Sequence, residues 1–190
     1  MLLEALRDFE WYNEPREVSF SDRGVKITAS PHTDFWQDTV RAYHKDNGHF
    51  FYGGRRGAFI MTASWRFDNP GGFAQCGLMG RLDEENWFKI AVMSRNRQPQ
   101  NIGTVVTVNG NSDMALVPLE GTPADVWFRV RKSTDGVYEL SYSVNGIVFA
   151  AVRRFRLGRE SAEVDAGVYI CSPSEQGYTA LLSSIENDAL

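Results

Sequence analysis

The sequence predicts an all-β protein in which two antiparallel sheets pack face to face as a jelly-roll sandwich. Apolar and polar residues alternate with a period of two along the whole chain, and helical periodicity is nearly absent beyond a first turn at residues 2–6. Glycine, proline, Asn and Asp punctuate the gaps between the alternating segments. So many strands cannot form one open sheet without curling, and a two-sheet sandwich is therefore the expected solution.

The clearest strand signals lie at residues 59–67 and 138–144, where apolar residues occupy every second position. Asn145 and Gly146 follow the second of these segments and predict a two-residue hairpin before Ile147. Further strands are predicted at residues 18–20, 25–28, 73–82, 87–93, 104–108, 126–130, 164–171 and 178–185. The polar stretches 96–100 and 109–113 are predicted to be loops.

Length and charge limit the class of protein. A chain of 190 residues fits a single domain spanning residues 1–190, and a core of this size needs neither a metal nor a disulfide for stability. The net charge is −4 with no block of like charge, so nucleic acid is not an expected partner. No cofactor is predicted.

The chain is predicted to be cytoplasmic and not to associate with membranes. Glu4, Arg7 and Asp8 interrupt the apolar start before a secretion signal develops, and no later stretch reaches the ~18 apolar residues of a spanning helix. Cys76 and Cys171 lack the paired spacing of metal sites or secreted scaffolds, and are predicted to be buried free thiols.

The segment from residue 73 to residue 93 sorts into an apolar face and a polar face. Alternation directs Leu78, Phe88 and Ile90 into the core. It gathers four side chains on the opposite, water-accessible face: Gln75, Arg81, Trp87 and Lys89. Residues 83–86 form the connecting turn, so antiparallel pairing brings Arg81 next to Trp87 or Lys89.

This polar face suits a polyhydroxylated or anionic ligand. An indole offers a flat surface for a sugar ring, and Arg donates paired hydrogen bonds to carboxylate or phosphate groups. The alternative is a solvated outer face, in which Trp87 packs under a loop and Arg81 pairs with Asp83 or Glu85. The residues leave both interpretations open.

A second informative segment spans residues 33–54. Asn47 and Gly48 predict a tight hairpin that brings His44 and His49 together, with Asp34 and Trp36 upstream. A metal site needs a third ligand, and none is evident from the spacing, so no metal is predicted. The histidines are interpreted as structural or as ligand-binding, and Asp34 as a ligand contact or a local turn cap.

Signals for catalysis are few. Glu163 and Asp165 have the alternate spacing that carboxyl-based sugar cleavage uses, but they stand at the entrance to a strand and are interpreted as a solvated strand end. There is no GxSxG elbow, no Cys with an evident His partner and no phosphate-binding glycine loop. Enzyme activity is left undecided.

Several segments resemble the regulation-of-enolase domain family, a family of unknown function in the concanavalin A-like lectin/glucanase superfamily. They run in order along almost the whole chain: FEWYNEP, TDFWQDT, DNGHFFY, QCGLMGRLDEENWFK, IGTVVT, VWFRV, YSVNG and CSP. The resemblance implies a concanavalin A-like jelly roll with a polar groove on its concave sheet, and it implies no particular reaction.

The resemblance also implies a set of polar motif residues. They match at Asp34, Trp36, His44, Asn47, His49, Gln75, Arg81, Asp83, Trp87, Lys89 and Ser172. Family members often carry a Trp shortly after the Ser and Asp at 112–113, where this chain has Met114, so one stacking surface is missing.

The resulting prediction is a ligand-binding sandwich that recognises a carbohydrate or a small polar or anionic metabolite through all of these motif residues except Ser172. One alternative is a regulatory domain that docks a metabolic enzyme or a second copy of the chain. The other is a glycan-active enzyme with His44 or His49 as acid or base and Arg81 or Lys89 stabilising negative charge.

Overall fold

The computed structural model describes residues 2–38, 42–67, 72–94, 100–121, 123–159 and 162–190. In these ranges the chain forms one short helix and a succession of strands. They are α1 (Leu2–Ala5), β1 (Glu10–Tyr12), β2 (Glu17–Ser21), β3 (Gly24–Ala29), β4 (Phe35–Asp38), β5 (Tyr43–Asp46), β6 (His49–Arg55), β7 (Phe59–Phe67), β8 (Ala74–Arg81), β9 (Trp87–Ser94), β10 (Asn101–Val108), β11 (Asn111–Pro118), β12 (Asp125–Lys132), β13 (Val137–Ser143), β14 (Ala150–Arg156), β15 (Val164–Cys171) and β16 (Tyr178–Ala189).

The strands form two seven-stranded sheets and one separate hairpin. The first sheet has the order β1-β6-β15-β8-β9-β10-β11, and the second has the order β14-β13-β12-β7-β16-β3-β2. Neighbouring strands run antiparallel in both sheets. Strands β4 and β5 pair with each other outside both sheets. The predicted two-sheet antiparallel sandwich is confirmed.

The main core lies between the two sheets and follows from the alternation of the central strands. Leu78, Phe88 and Ile90 of the first sheet are fully buried there, as predicted. Trp65 of the second sheet donates its indole N–H to the carbonyl of Gly77, at 3.1 Å, so its buried polar atom is satisfied. Burial stabilises each such apolar side chain by about 1.5–3 kcal/mol.

Several local predictions are confirmed. Strands β7 and β15 begin and end at the predicted residues, and a short helix forms at the predicted first turn. Arg81 pairs with Trp87 across β8 and β9, as expected for a turn at residues 83–86. Cys76 and Cys171 are buried and free of disulfides.

The hairpin predicted at Asn47 and Gly48 is wrong. Strand β5 pairs with β4, whereas β6 lies in the first sheet between β1 and β15. The backbone N–H groups of Asn47 and Gly48 both donate to the carbonyl of Asp34, at 3.0 Å each, which fixes this connection against the start of β4. His44 and His49 therefore lie on strands that belong to different sheets.

Strand β11 was missed, because residues 109–113 were predicted to be a loop. Asn109 and Gly110 both adopt positive φ, 48° and 73°, which is the geometry of the tight hairpin turn that an Asn-Gly pair favours. Strand β11 then pairs with β10 along its whole length. It is an exposed edge strand whose residues show no clean alternation, so its pattern does not predict a strand.

The hairpin predicted at Asn145 and Gly146 joins β13 to β14 but has a longer loop, residues 144–149. The Ser143 hydroxyl and the Asn145 side-chain oxygen accept hydrogen bonds from four successive backbone N–H groups, and these bonds hold the loop open. Ile147 and Val148 are therefore exposed at the loop tip and do not begin a strand.

Other predictions concern a loop and membrane spans. The polar loop predicted at residues 96–100 lies outside the described residues except for Gln100. Across the described ranges, no helix combines the length and apolar character required to cross a membrane.

Candidate functional site

The hairpin formed by β4 and β5 covers the outer face of the first sheet. Phe35 of the hairpin is fully buried and contacts the rings of Trp87 and Tyr169, with centroids 6.3 and 6.4 Å apart. These rings belong to a second apolar cluster on the side of the sheet away from the main core. Its fully buried members are Phe35, Phe50, Met79, Trp87, Ala91, Met93, Val105, Tyr169 and Cys171.

The prediction of a water-accessible polar face is therefore wrong in one respect. Gln75, Arg81, Trp87 and Lys89 do share the face opposite the core, but they are only 2%, 9%, 1% and 1% exposed. The cause is the hairpin segment, whose polar groups bind Gln75, Lys89 and Arg81 and whose Phe35 ring covers Trp87.

A cavity of about 510 Å³ opens beside the hairpin. It is within the size range of small-molecule sites, about 300–1,000 Å³. Its lining comes from the hairpin segment, from β8 to β11 and from two loops: Asp34, Trp36, Tyr43, Phe73, Gln75, Lys89, Met93, Val105, Met114 and Pro173. Four of the predicted site residues, Asp34, Trp36, Gln75 and Lys89, are thus brought together.

Asp34 is the centre of the polar part of this cavity. Its Oδ1 accepts hydrogen bonds from the Phe35 backbone N–H at 2.8 Å, from Lys89 Nζ at 3.1 Å and from Gln75 Nε2 at 3.4 Å. The Cys171 thiol points at the same oxygen at 3.7 Å. Oδ2 has no hydrogen bond to any described residue, although Asp34 is only 6% exposed. One carboxylate oxygen of a largely buried residue is therefore left for a ligand.

Lys89 of β9 lines the cavity and forms hydrogen bonds with the hairpin segment. Its ammonium donates to Asp34 Oδ1 and to the carbonyl of Phe35, the latter at 2.7 Å. It also lies 5.7 and 5.5 Å from the ring centroids of Trp87 and Tyr169, within cation–π range. The pair with Asp34 compensates both buried charges, which is the condition for burying either one.

Of the aromatic side chains that line the cavity, Trp36 was a predicted site residue, whereas Tyr43 and Phe73 were not. Tyr43 is 41% exposed, and burial, followed by the charge of the Asp34 carboxylate, raises the pKa of its phenol. Phe73 and the half-buried Trp36 add ring surface, and Met114 adds an aliphatic side chain to the lining. The signal for Tyr43 was its place in the aromatic segment before His44.

Arg81 has a partner that the sequence did not suggest. Its guanidinium forms two hydrogen bonds with the Asp46 carboxylate, at 2.5 and 2.9 Å, and stacks over the Tyr12 ring at 4.6 Å. Burial lowers the pKa of Arg81, but the hydrogen bonds and charge of Asp46 outweigh it and the net pKa is raised. Arg81 thus anchors the end of the hairpin and does not line the cavity. The alternative pairing with Asp83 or Glu85 is also wrong.

Three other predicted site residues surround the turn after β8. The Trp87 indole N–H donates to the carbonyl of Glu84 at 3.1 Å, and the ring is buried against Phe35. The exposed His44 pairs with the Glu84 carboxylate at 3.1 Å. Asp83 caps its own turn, accepting from the Glu85 N–H and the Asn86 amide.

The motif residues Asn47 and Ser172 hold loops in place. Asn47 accepts from the Asp34 N–H at 3.0 Å and donates to the carbonyl of His32. Ser172 donates to the carbonyl of Gln176, and its N–H donates to Thr33. Ligand binding by any residue of the predicted set stays a prediction.

His49 is buried and shows a defined tautomer. Its Nε2 accepts from the Ser30 backbone N–H at 3.0 Å, so the proton resides on Nδ1, which donates to the carbonyl of Asn13 at 2.5 Å. Burial lowers the pKa of His49, only partly offset by the bond to Asn13. The neutral ring therefore joins three segments of the chain.

The two sheets and the covered outer face define a lectin-like β-sandwich. A legume lectin-like domain from Entamoeba histolytica shares the fold with a TM-score of 0.61 at 8% identity, covering 97% of this chain and 91% of that one. The GH43 BlXynB protein from Bacillus licheniformis matches with a TM-score of 0.71 at 11% identity, over 96% of this chain and 37% of its own. These likenesses confirm the predicted concanavalin A-like fold.

The chain belongs to the DUF1349 family of proteins of unknown function, whose model matches residues 11–189. A functionally unknown protein from Saccharomyces cerevisiae has a TM-score of 0.89 at 25% identity, over 97% of this chain and 98% of that one. A curated yeast relative, Regulation of enolase protein 1, is 30% identical over 121 residues, which span 63% of this chain and 60% of that protein. The predicted family is confirmed.

Removing the Asp46 carboxylate tests how the hairpin is attached. Asp46→Ala leaves the Arg81 guanidinium buried without its counter-ion, and we expect the free energy of unfolding to fall by about 3 kcal/mol in urea titrations followed by circular dichroism. Glu163→Ala is the control, because its partner Arg56 is 83% exposed and such pairs contribute about 1 kcal/mol at most. Equal losses in the two variants would contradict the anchoring role.

The lowered pKa of His49 predicts a pH-dependent stability. The unfolded chain titrates near the ordinary value of 6.5, so the unfolded state takes up a proton first as the pH falls. We expect the free energy of unfolding to decrease by about 1 kcal/mol from pH 7.5 to 5.5. The slope should flatten in His49→Gln and persist in His44→Gln, the exposed control. A slope unchanged in His49→Gln would refute this origin.

Proposed function

We propose that this chain is a binding protein whose cavity beside the β4–β5 hairpin holds a carbohydrate or a small polar metabolite. The observation that carries the proposal is Asp34, a largely buried residue of the cavity lining whose Oδ2 has no hydrogen-bonding partner among the described residues. A carboxylate oxygen accepts hydrogen bonds, so a ligand hydroxyl or a water is expected there. Trp36 supplies a flat apolar surface next to it.

The lining supports binding more than glycan cleavage. Sugar hydrolysis by the usual mechanism requires two carboxyl groups at about 5–9.5 Å from each other. The described lining offers the Asp34 carboxylate alone, and that carboxylate is already paired with Lys89. Neither His44 nor His49 lies in the lining, so neither is placed as an acid or base for a ligand held there.

A panel of neutral sugars and sugar phosphates tests this function through tryptophan fluorescence. We expect at least one compound to give a saturable change with the wild-type chain, because Trp36 borders the cavity. The response should disappear in Trp36→Ala and persist in Trp127→Ala, whose indole lies on the second sheet near Gly146. A panel without a saturable response would count against the proposal, as would a response that survives in Trp36→Ala.

A regulatory role on a metabolic enzyme is the second candidate. The curated yeast relative bears the name Regulation of enolase protein 1. The loop between β13 and β14 exposes Ile147 by 82% and Val148 by 71%, on a backbone held by the Ser143 and Asn145 side chains. A preordered apolar tip suits docking to a protein surface, since little conformational entropy is lost on binding.

Purified enolase is the probe for this candidate. We expect the wild-type chain to bind it in sedimentation or interferometry measurements, and the double variant Ile147→Ser with Val148→Ser to bind at least tenfold more weakly. Leu116→Ser is the matched control, because Leu116 is 49% exposed on β11, away from the loop. If the wild-type chain fails to bind, or the double variant binds equally well, this role is excluded for enolase.

A further inference from the structure

We infer that the cavity selects a neutral ring with hydroxyl groups on adjacent carbons, such as an uncharged monosaccharide unit, and discriminates against charged metabolites. This inference rests on the proposed binding function and narrows its ligand class. It departs from the wider prediction of a polar or anionic ligand.

The charged side chains of the cavity lining balance each other. Within the described residues, the charged side chains of the cavity are Asp34 and Lys89, and they form one ion pair at 3.1 Å. Arg81, the cation expected to bind an anion, is instead neutralised by Asp46 outside the cavity. An anionic ligand would meet the Asp34 carboxylate, and a cationic ligand would meet the Lys89 ammonium. Either would bury a charge without compensation, which is costly.

The ion pair of Asp34 and Lys89 leaves hydrogen-bonding positions open to a ligand. Asp34 Oδ2 is an acceptor, and Lys89 uses two of its three ammonium protons on Asp34 Oδ1 and the Phe35 carbonyl. One acceptor and one donor thus remain on two groups that are in contact. A hydroxyl group both donates and accepts. Two neighbouring hydroxyls on one ring can therefore satisfy both positions, one donating to Oδ2 and the other accepting from Nζ.

Much of the remaining cavity lining is apolar. Trp36 and Phe73 present aromatic surface, and Met93, Val105 and Met114 present aliphatic surface. A small linear polyol would leave this surface in contact with water. A sugar ring carries a C–H face that can pack on an indole while its hydroxyl edge faces the ion pair. The lining therefore fits an amphipathic ring.

Tyr43 also lines the cavity and carries a hydroxyl group. It can donate to or accept from a further ligand hydroxyl without adding charge at neutral pH. Tyr43 therefore adds no charge to the cavity lining.

Matched sugars test the selection. We propose to titrate the full chain at pH 7 with D-glucose, D-galactose, D-xylose and myo-inositol, and with D-glucuronate, D-galacturonate and glucose 6-phosphate, following the tryptophan indole N–H signals by NMR. The expected result is that a neutral compound shifts the Trp36 signal and binds at least tenfold more tightly than its anionic counterpart.

The possible results distinguish a failure of the selection for neutral sugars from a failure of the binding function. If an anion shifts the Trp36 signal with equal or higher affinity, the neutral selection is overturned while the binding function stands. If none of the compounds shifts that signal, both are overturned for these ligands. A shift confined to other tryptophans would also overturn both, because it would place binding outside the cavity.

Variants of the ion pair give an independent test. Asp34→Asn removes the free acceptor, and we expect at least tenfold weaker binding of the neutral sugar. Because this variant leaves Lys89 buried without a counter-ion, the double variant Asp34→Asn with Lys89→Met serves if the single one does not fold. Asp113→Asn, on an exposed carboxylate, is the control and should bind as the wild type does. Unchanged affinity in both ion-pair variants would overturn the assignment.

Discussion

The buried pair of Asp34 and Lys89 is the contact on which the outer side of this sandwich depends. The β4–β5 hairpin shares no strand pairing with either sheet in the described chain, so its attachment to the first sheet depends on hydrogen bonds made by side chains. Lys89 binds both the carboxylate and the carbonyl at the start of the hairpin, and Arg81 binds Asp46 at its end. Lys89 and Arg81 of the first sheet thus hold the start and the end of the hairpin segment in place. Breaking a buried pair leaves an uncompensated charge, which is why such contacts fix geometry well.

The attached hairpin shields the outer face of the first sheet from water. Every residue of β8 and β9 is buried, although half of their side chains face away from the main core. The outer side chains include Gln75 and Lys89, which are polar yet have little contact with water. Tyr169 donates to Gln75 Oε1 at 3.2 Å, so the polar groups of this layer bind one another and the hairpin. A polar strand face here is therefore an internal contact surface.

The same arrangement leaves the candidate site at the border of the hairpin. A cavity forms where Trp36 and Tyr43 of the hairpin meet side chains of β9, β10 and β11, and its lining includes Asp34, whose Oδ2 has no hydrogen bond to a described residue. The family and the lectin-like fold do not by themselves define a ligand, because one fold hosts many functions. The chemistry of the lining carries the functional proposal, and the exposed tip at Ile147 and Val148 offers a separate surface for a protein partner.

The sequence by itself determined the sandwich, the inward side chains of the central strands, and the shared face of Gln75, Arg81 and Lys89, since period-two alternation is a local property. It did not reveal strand β11, whose exposed edge position removes the alternation. Only the tertiary structure decided that Asp46 and Arg81 pair, that β5 joins β4, and that the polar face is covered. These contacts join residues far apart in the chain, and no local pattern records which distant segment covers a face.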